Sequence, residues 1–139
     1  MELNNVMTAN PACCGPQTPL QEVARLMAEN DCGMIPVVDE QGLPVGAITD
    51  RDIAVRAVAQ TGNLENTCAA DYMTAPVRTV SQDSTLADCC AAMESAQLRR
   101  MPVVDARGRV VGVVAQADIA LSSSPARTAE VVQEISRPC

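Results

Sequence analysis

The sequence predicts an α+β fold of the α/β type, built from two copies of one β-α-β-β-α unit. A gapless offset of 66 residues aligns residues 6–54 with residues 72–120, and 15 of the 49 aligned pairs are identical. Self-similarity of this kind indicates a duplicated supersecondary unit whose copies each bury an apolar face. Within each copy, one stretch has the period of an amphipathic helix, and two short apolar runs have the length of strands.

The first helix of each copy is predicted by apolar residues at the spacing i, i+3, i+4 and i+7. These residues are Leu20, Val23, Ala24, Met27 and Ala28, and their counterparts in the second copy are Leu86, Cys89, Cys90 and Met93. Before the first helix, Thr18, Pro19 and Gln21 resemble an N-cap, a proline at the first helical position and a capping box. We therefore expect Thr18 to cap the first helix, and Cys89 and Cys90 to face partly into a core.

Two short apolar runs follow each helix, with a glycine between them. They are residues 35–38 and 45–49 around Gly42, and residues 101–104 and 110–114 around Gly108. The glycines predict turns with a positive φ. Further predictions are helices around residues 50–59, 116–121 and 126–137, helical lead-ins near Val6 and Tyr72, a connection at residues 60–70 and a break at residues 122–125. The predicted domains are residues 1–60 as repeat 1, residues 61–121 as repeat 2, and residues 122–139 as the break with a short C-terminal helix.

The composition excludes several classes of function. The 139 residues have a net charge of −7 and ten basic residues, all of them arginine, with no lysine and no histidine. Serine–histidine sites, imidazole metal ligands and Schiff-base lysines are therefore absent, and we predict neither an enzyme nor a metal site. The negative charge argues against nucleic-acid binding. The N-terminal MELNNVMTAN lacks the features of a signal peptide, and no apolar run is long enough for a membrane span, so we expect a cytoplasmic protein with no membrane partner.

The seven cysteines are interpreted as small buried side chains. Their odd number and the lack of a C-x-x-C pair argue against a zinc site and against a disulfide framework. Cys139, at the end of the chain, is expected to be the most exposed thiol.

These features together resemble the CBS domain family. The resemblance rests on VMT and YMT at residues 6–8 and 72–74, IPVVD and MPVVD at residues 35–39 and 101–105, and GAITDRDI and GVVAQADI at residues 46–53 and 112–119. It covers residues 3–121. It implies two CBS repeats packed about a pseudo-twofold axis as one Bateman module, a ligand cleft between the repeats, and a homodimer.

In this family the pattern G-h-h-T/S-x-x-D, where h is apolar, binds ribose. The resemblance therefore implies that Thr49 and Asp52 bind ribose in the first copy. In the second copy it implies the same role for Asp118, although Ala115 lacks the hydroxyl, so we expect that half-site to bind more weakly, to bind another ligand or to be empty. A carboxylate can accept hydrogen bonds from both ribose hydroxyls, and helix N–H groups favour a nearby phosphate. The alternative is that Thr49 only caps the next helix and Asp52 only favours its dipole.

The resemblance further implies phosphate contacts by Arg99 and Arg100, with Arg51 and Arg78 as further candidates. The alternative for Arg99 and Arg100 is a solvated surface or a salt bridge. The resemblance also implies adenine contacts through the main chain or apolar side chains. Cys32 and Gly33 would contact the adenine of the site that contains Asp118, and Leu98 and Arg99 the adenine of the site that contains Asp52. Ile35 and Met101, on the middle strands, are further candidates. Tyr72 is the one aromatic side chain that could stack on a base.

The predicted function is a regulatory, ligand-sensing module. It would bind AMP, ADP or ATP, with or without Mg²⁺, between the repeats and would transmit a conformational change to an unidentified partner protein. No cofactor is required. The alternative is a structural homodimerisation or protein-interaction module with vestigial nucleotide pockets, which Ala115 and the net charge of −7 favour. A third hypothesis, a thiol- or metal-responsive protein, lacks support from histidines or C-x-x-C spacing.

Overall fold

The computed structural model describes residues 3–122 and 125–137. In chain order the elements are a 3₁₀ turn Leu3–Asn5, β1 Thr8–Ala9, α1 Leu20–Asn30, β2 Met34–Val38, β3 Pro44–Thr49, a π-helix Asp52–Val58, α2 Ala59–Thr61, α3 Ala69–Tyr72, β4 Val80–Ser81, α4 Leu86–Ala96, β5 Arg100–Val104, β6 Val110–Ala115, α5 Gln116–Ser122 and α6 Pro125–Ile135. This mixture confirms the predicted α+β class. The helical lead-ins expected near Val6 and Tyr72 are the 3₁₀ turn and α3.

The chain divides into two compact units. The N-repeat unit comprises residues 11–77 and 108–110, and the C-repeat unit comprises the described residues of 1–10, 78–107 and 111–139. The boundary predicted between residues 60 and 61 follows the duplication in the sequence, whereas the compact units are divided near residues 10 and 77. The two divisions differ because the lead-in of each repeat pairs with the sheet of the other repeat.

In the C-repeat unit the strands form one sheet in the order β1-β6-β5-β4. The lead-in strand β1 is antiparallel to β6, with Thr8 opposite Val113, and β4 is parallel to β5, with Val80 opposite Val103. The lead-in before the first repeat therefore completes the sheet of the second.

The N-repeat unit has the same pattern with fewer paired residues. Strands β2 and β3 are antiparallel, and single bridges join Ala47 to Thr74 and Cys14 to Val37. Thr74 follows α3 in the lead-in before the second repeat, so here too the lead-in pairs with the other repeat's last strand. Gly42 and Gly108 form the hairpin turns with φ of 84° and 83°, which confirms the predicted positive φ.

Each unit has its own aliphatic core. Side chains at most 1% exposed include Leu20, Val23, Ile35, Val37 and Ile48 in the N-repeat unit, and Met93, Met101, Val103, Val114 and Ile119 in the C-repeat unit. Burying one such side chain contributes about 1.5–3 kcal/mol relative to leaving it exposed. Cys89 and Cys90 are 0% and 2% exposed, which confirms that this pair faces the core.

The predicted cap of the first helix is wrong. The helix begins at Leu20 after Pro19, whose φ of −57° and ψ of 141° are extended and whose side chain makes no capping bond. Thr18 lies one residue too early, and its Oγ1 accepts a hydrogen bond from the Gly15 N–H at 2.9 Å instead. In the second copy, Thr85 occupies the position of Pro19 and forms a capping box with Asp88.

The helix predicted around residues 50–59 is present, but most of it is the π-helix Asp52–Val58, followed by α2. The corresponding helix of the second copy, α5, is an ordinary α-helix. No residue pattern predicted this difference, because Ile53 and Ala57 face the core at a spacing of four residues that suits an α-helix equally well. Isolated π-turns are rare and occur often at functional sites.

The C-terminal helix predicted over residues 126–137 is α6, and it packs on α4. Part of the predicted break, at residues 123 and 124, lies outside the described residues, as does Cys139. Among the described residues, no helix combines the length and the apolar character needed to cross a lipid bilayer.

Candidate functional site

Thr49 and Asp52 bond to each other where β3 meets the π-helix. The Thr49 N–H donates to Asp52 Oδ2 at 2.9 Å, and the Asp52 N–H donates to Thr49 Oγ1 at 3.1 Å. This reciprocal pair is a capping box, which satisfies two N–H groups at the start of the helix. The Asp52 side chain is 14% exposed and is therefore not closed off completely from solvent. The two residues therefore have a structural role at this junction, and the ribose contact that the resemblance implies stays a prediction.

The second copy keeps half of this arrangement. The Ala115 N–H donates to Asp118 Oδ2 at 2.8 Å, which matches the bond from Thr49 to Asp52. Ala115 has no hydroxyl to accept the Asp118 N–H in return. Asp118 therefore makes only the first of the two bonds that Asp52 makes with Thr49.

Main-chain hydrogen bonds bring a second predicted position next to each motif. The Asp50 N–H donates to the Gly33 carbonyl oxygen at 2.9 Å, and the Gln116 N–H donates to the Arg99 carbonyl oxygen at 2.8 Å. We call Gly33, Thr49 and Asp52 the Asp52 half-site. The Asp118 half-site consists of Arg99, Ala115 and Asp118. Each half-site lies within one compact unit.

The other predicted residues differ in exposure. Arg51, Arg78 and Arg99 are exposed, and Cys32, Gly33, Leu98 and Arg100 are half-buried. Ile35 and Met101 are 0% and 1% exposed because their side chains fill the two cores. Contact of these two residues with a base would therefore involve main-chain atoms. The pairing of each motif with base-contacting residues of the opposite repeat remains a prediction.

Arg56 is a neighbour of the Asp52 half-site that the sequence analysis missed. Its Nη1 donates to the carbonyl oxygen of Tyr72 at 3.0 Å and lies 3.7 Å from Asp52 Oδ1. The signal available in the sequence was the spacing, because oppositely charged residues four apart on a helix are neighbours. Tyr72 itself is half-buried and packs against the N-repeat core.

The buried thiols of the chain are poor nucleophiles. Burial, with smaller contributions from neighbouring Cys13 and Glu22, raises the pKa of Cys14 to about 11. Burial, with a contribution from Cys90, raises the pKa of Cys89 to about 12. Reactivity requires the thiolate, which is scarce at neutral pH at such pKa values. Within residues 3–122 and 125–137, no three cysteine or carboxylate side chains cluster as metal ligands would.

Both repeats of the chain match a known family of domains. The model of the CBS domain matches residues 3–58 and 69–124. The chain belongs to the CBS domain family. Its two CBS domains account for the duplication, and the duplicated strand-to-helix motif lies near the end of the first domain and near the end of the second.

Proteins from several organisms are similar to most of this chain. The CBS domain-containing protein YhcV of Bacillus subtilis is 38% identical over 86% of this chain and 84% of its own length. Protein MK0525 of Methanopyrus kandleri is 34% identical over 84% of this chain, and this chain spans only 59% of that protein.

Two solved structures that are similar to this chain contain bound ligands or metal ions. The CBS domain pair of protein MJ0100, in complex with 5′-methylthioadenosine and S-adenosyl-L-methionine, is 29% identical to this chain with a TM-score of 0.78. The match covers 88% of this chain and 94% of the MJ0100 chain. Hypoxic Response Protein I, whose crystal structure has two coordinated zinc ions, is 28% identical to this chain with a TM-score of 0.79. The match covers 89% of this chain and 100% of the Hypoxic Response Protein I chain.

Proposed function

We propose that this CBS pair is a regulatory module that binds an adenosine-containing ligand, with AMP, ADP and ATP as the first candidates and Mg²⁺ as an accompanying ion. The protein would act in the cytoplasm as a homodimer and would change its contact with a partner protein when the ligand binds. No catalytic step is part of the proposal.

The observation that carries this proposal is the Asp52 carboxylate at the junction of β3 and the π-helix. Its Oδ2 accepts the Thr49 N–H, which fixes the orientation of the carboxylate. A carboxylate has about four lone-pair sites, so acceptor capacity is left for the two hydroxyls of a ribose. Adenosine compounds bound to the similar CBS pair of MJ0100 support the choice of ligand class.

The remaining parts of the ligand would meet different atoms. Arg99 and Arg100 would bind phosphate through the guanidinium fork, with Arg51 and Arg78 as additional cations. Main-chain groups of Cys32, Gly33 and Leu98 would bind the base, because this chain offers almost no aromatic side chain for stacking. Asp118 would bind ribose more weakly than Asp52, since Ala115 supplies no hydroxyl.

The ligand would change the conformation of the module if it bound one conformation more tightly than another. A ligand shifts the conformation of a protein only to the extent that it binds one state more tightly than another. The two motif strands, β3 and β6, pair with the lead-ins of the opposite repeats, at Thr74 and at Thr8. A small movement of either motif would therefore move the lead-in paired with it.

Thermal unfolding with AMP, ADP, ATP, S-adenosylmethionine and 5′-methylthioadenosine, each with and without Mg²⁺, tests the proposal. A ligand present at about 100 times its Kd stabilises the protein by ~2.7 kcal/mol, which raises Tm by several degrees for a domain of this size. The shift should disappear in Asp52→Asn.

Asp88→Asn is the matched control. Asp88 forms a capping box with Thr85 that has the same bonds as the box of Asp52 and Thr49, but on α4. Both variants should lose similar stability without ligand, and only Asp52→Asn should lose the ligand-induced shift. Equal loss of the shift in both variants would contradict a ribose contact at Asp52.

A second candidate is a structural homodimerisation module with vestigial pockets. The observation that favours it is the same capping box, because Thr49 and Asp52 already satisfy each other without a ligand. A protein that dimerises with increasing concentration and shows no shift with any of these ligands would support this candidate and exclude the first for them.

A further inference from the structure

Arg56 connects the Asp52 half-site to the end of α3. Its guanidinium is held by the carbonyl oxygen of Tyr72 at 3.0 Å, and the same nitrogen lies 3.7 Å from Asp52 Oδ1. A main-chain carbonyl is a fixed anchor, so the guanidinium is positioned before any ligand arrives. Preorganisation of this kind lowers the entropy that a ligand contact costs.

The separation of Arg56 and Asp52 leaves both groups capable of further bonds. At 3.7 Å the pair is an ion pair without a short hydrogen bond, because N–H···O bonds have donor–acceptor distances of about 2.7–3.2 Å. Guanidinium has five N–H donors, and the Tyr72 bond accounts for one of them. The Arg56 side chain is 45% exposed, so other donors face solvent, where a ligand group could bind.

The second copy lacks this cation. Ser122 stands four residues after Asp118, at the position that corresponds to Arg56. The two half-sites therefore differ in charge at the same place on the helix, in addition to the difference between Thr49 and Ala115.

We propose that Arg56 is a specificity-determining residue of the Asp52 half-site, and that it makes this half-site prefer adenosine ligands that bear a phosphate over neutral adenosine compounds. The proposal rests on the proposed function, since it assumes that Asp52 binds the ribose. The guanidinium fork pairs with a phosphate in two parallel hydrogen bonds and gives a neutral 5′-substituent no comparable bond.

The position of Arg56 suits this role better than a purely structural one. Its partner Asp52 is already oriented by Thr49, so the ion pair is not needed to hold the carboxylate. Its bond to Tyr72 needs only one neutral donor. The ion pair with Asp52 spans 3.7 Å and lacks a short hydrogen bond, so the positive charge of Arg56 stays available for recognition by a phosphate.

The test measures the affinities of AMP, adenosine and 5′-methylthioadenosine by calorimetry in the full chain. Asp118→Asn is introduced throughout, so that the Asp52 half-site dominates binding while the Ala115 N–H keeps an acceptor. Arg56→Gln removes the charge but retains a donor for the Tyr72 carbonyl. Arg25→Gln, an exposed residue on α1, removes the same charge elsewhere in the N-repeat unit and is the control for net charge.

We expect Arg56→Gln to weaken the binding of AMP about tenfold, the equivalent of ~1.4 kcal/mol. The affinities for adenosine and 5′-methylthioadenosine should stay unchanged within about twofold. Arg56→Lys should retain most of the preference for AMP, because the charge stays. Raising the salt concentration should weaken AMP more in the parent protein than in Arg56→Gln.

Three results would overturn the inference and leave the proposed function intact: equal weakening of AMP and adenosine in Arg56→Gln, an equal loss of AMP affinity in Arg25→Gln, or no preference for AMP in the parent protein. Failure of the parent protein, with or without Asp118→Asn, to bind any adenosine compound would overturn both proposals.

Discussion

The sulfur of Met73 occupies the space that a side chain on residue 46 would need. A Cβ on Gly46 would lie 2.6 Å from Met73 Sδ and 3.0 Å from the Thr74 carbonyl oxygen. Gly46 is the first residue of the motif GAITDRD and lies within β3, and Met73 belongs to the lead-in before the second repeat. The glycine of GAIT and the methionine of YMT are thus two halves of one packing contact, and Gly112 with Met7 repeats it in the other unit.

Gly46→Ala should lower the free energy of unfolding by about 1–3 kcal/mol, the usual cost of overpacking. Gly112→Ala should cost less, because the atoms near a Cβ there all belong to the flexible side chain of Met7, whereas the Thr74 carbonyl oxygen at Gly46 is main chain. Urea denaturation of both variants measures the difference. Met7→Ala should relieve most of the cost at Gly112, and Met73→Ala only part of the cost at Gly46. Equal relief in the two pairs would contradict this explanation.

Thr49→Ala and Ala115→Thr should have opposite effects on stability. Thr49→Ala removes the hydroxyl that accepts the Asp52 N–H, and loss of such a cap costs about 1 kcal/mol. Ala115→Thr supplies the missing acceptor beside Asp118, whose carboxylate already accepts the Ala115 N–H. It should stabilise the protein by about 0.5 kcal/mol. Chemical denaturation without ligand checks both, and a destabilising Ala115→Thr would show that the second motif has no room for the hydroxyl.

The protein should lose stability in alkaline solution as its buried thiols titrate. Burial raises the pKa of Cys14 to about 11 and that of Cys89 to about 12, from an ordinary value of 9.0. Above that ordinary value the unfolded chain releases these protons while the folded chain retains them, so the free energy of unfolding falls with rising pH. The contribution of these thiols should be constant below this range and decline from about pH 9 to about pH 12.

Cys89→Ala separates this effect from general alkaline denaturation. The variant should be less stable overall, because it leaves a cavity in the C-repeat core. Its stability should nevertheless decline less steeply between about pH 9 and about pH 12 than that of the parent protein. Parallel declines would show that Cys89 does not cause the alkaline loss.

Glu94→Gln should stabilise the packing of α4 on α6 at neutral pH. Burial raises the pKa of the Glu94 carboxyl, the negative charges of Glu130 and Glu134 on α6 raise it further, and Arg127 lowers it. A carboxyl with a raised pKa favours folding when protonated, and its contribution is lost as the pH rises through the folded-state pKa. The increase in Tm from Glu94→Gln should therefore be larger near pH 7 than near pH 4, where the unfolded carboxyl also begins to protonate.

Asp88→Asn lies on α4 as well and serves as a comparison for the Glu94 variant, since Asp88 forms the capping box with Thr85 at the start of the helix. It should lower Tm. An increase in Tm for Glu94→Gln that is the same at both pH values would indicate a gain in helix propensity instead of relief of carboxylate repulsion.

Sequence patterns predicted the helices and strands well where periodicity and turn residues agree. Leu20, Val23 and Met27 fixed the buried face of α1, and Gly42 and Gly108 marked turns that require a positive φ. The cap of α1 was predicted wrongly, because Thr18 and Pro19 satisfy the pattern of a capped helix while the helix begins one residue later. A pattern of residue types does not distinguish a cap from a neighbouring turn.

The candidate site was predictable as far as it lies within one stretch of chain. Thr49, Asp52 and Asp118 are found at their strand-to-helix junctions because their spacing of three residues suits a capping box. Arg56 was not identified, since its anchor is the Tyr72 carbonyl, sixteen residues away in sequence. The exposure of Arg51 and the complete burial of Ile35 likewise depend on which elements pack together.

The sequence by itself determined that one β-α-β-β-α unit occurs twice, that the chain belongs among CBS pairs, and that only the first copy keeps the motif threonine, because these properties depend on residue identity and spacing. Only the tertiary structure decided that each lead-in completes the sheet of the opposite repeat, that Met73 lies on Gly46 and Met7 on Gly112, and that Arg56 is anchored on the Tyr72 carbonyl oxygen. The physical reason is that these strand pairings, packing contacts and hydrogen bonds join residues distant in sequence, and a local pattern cannot specify the partner in such a contact.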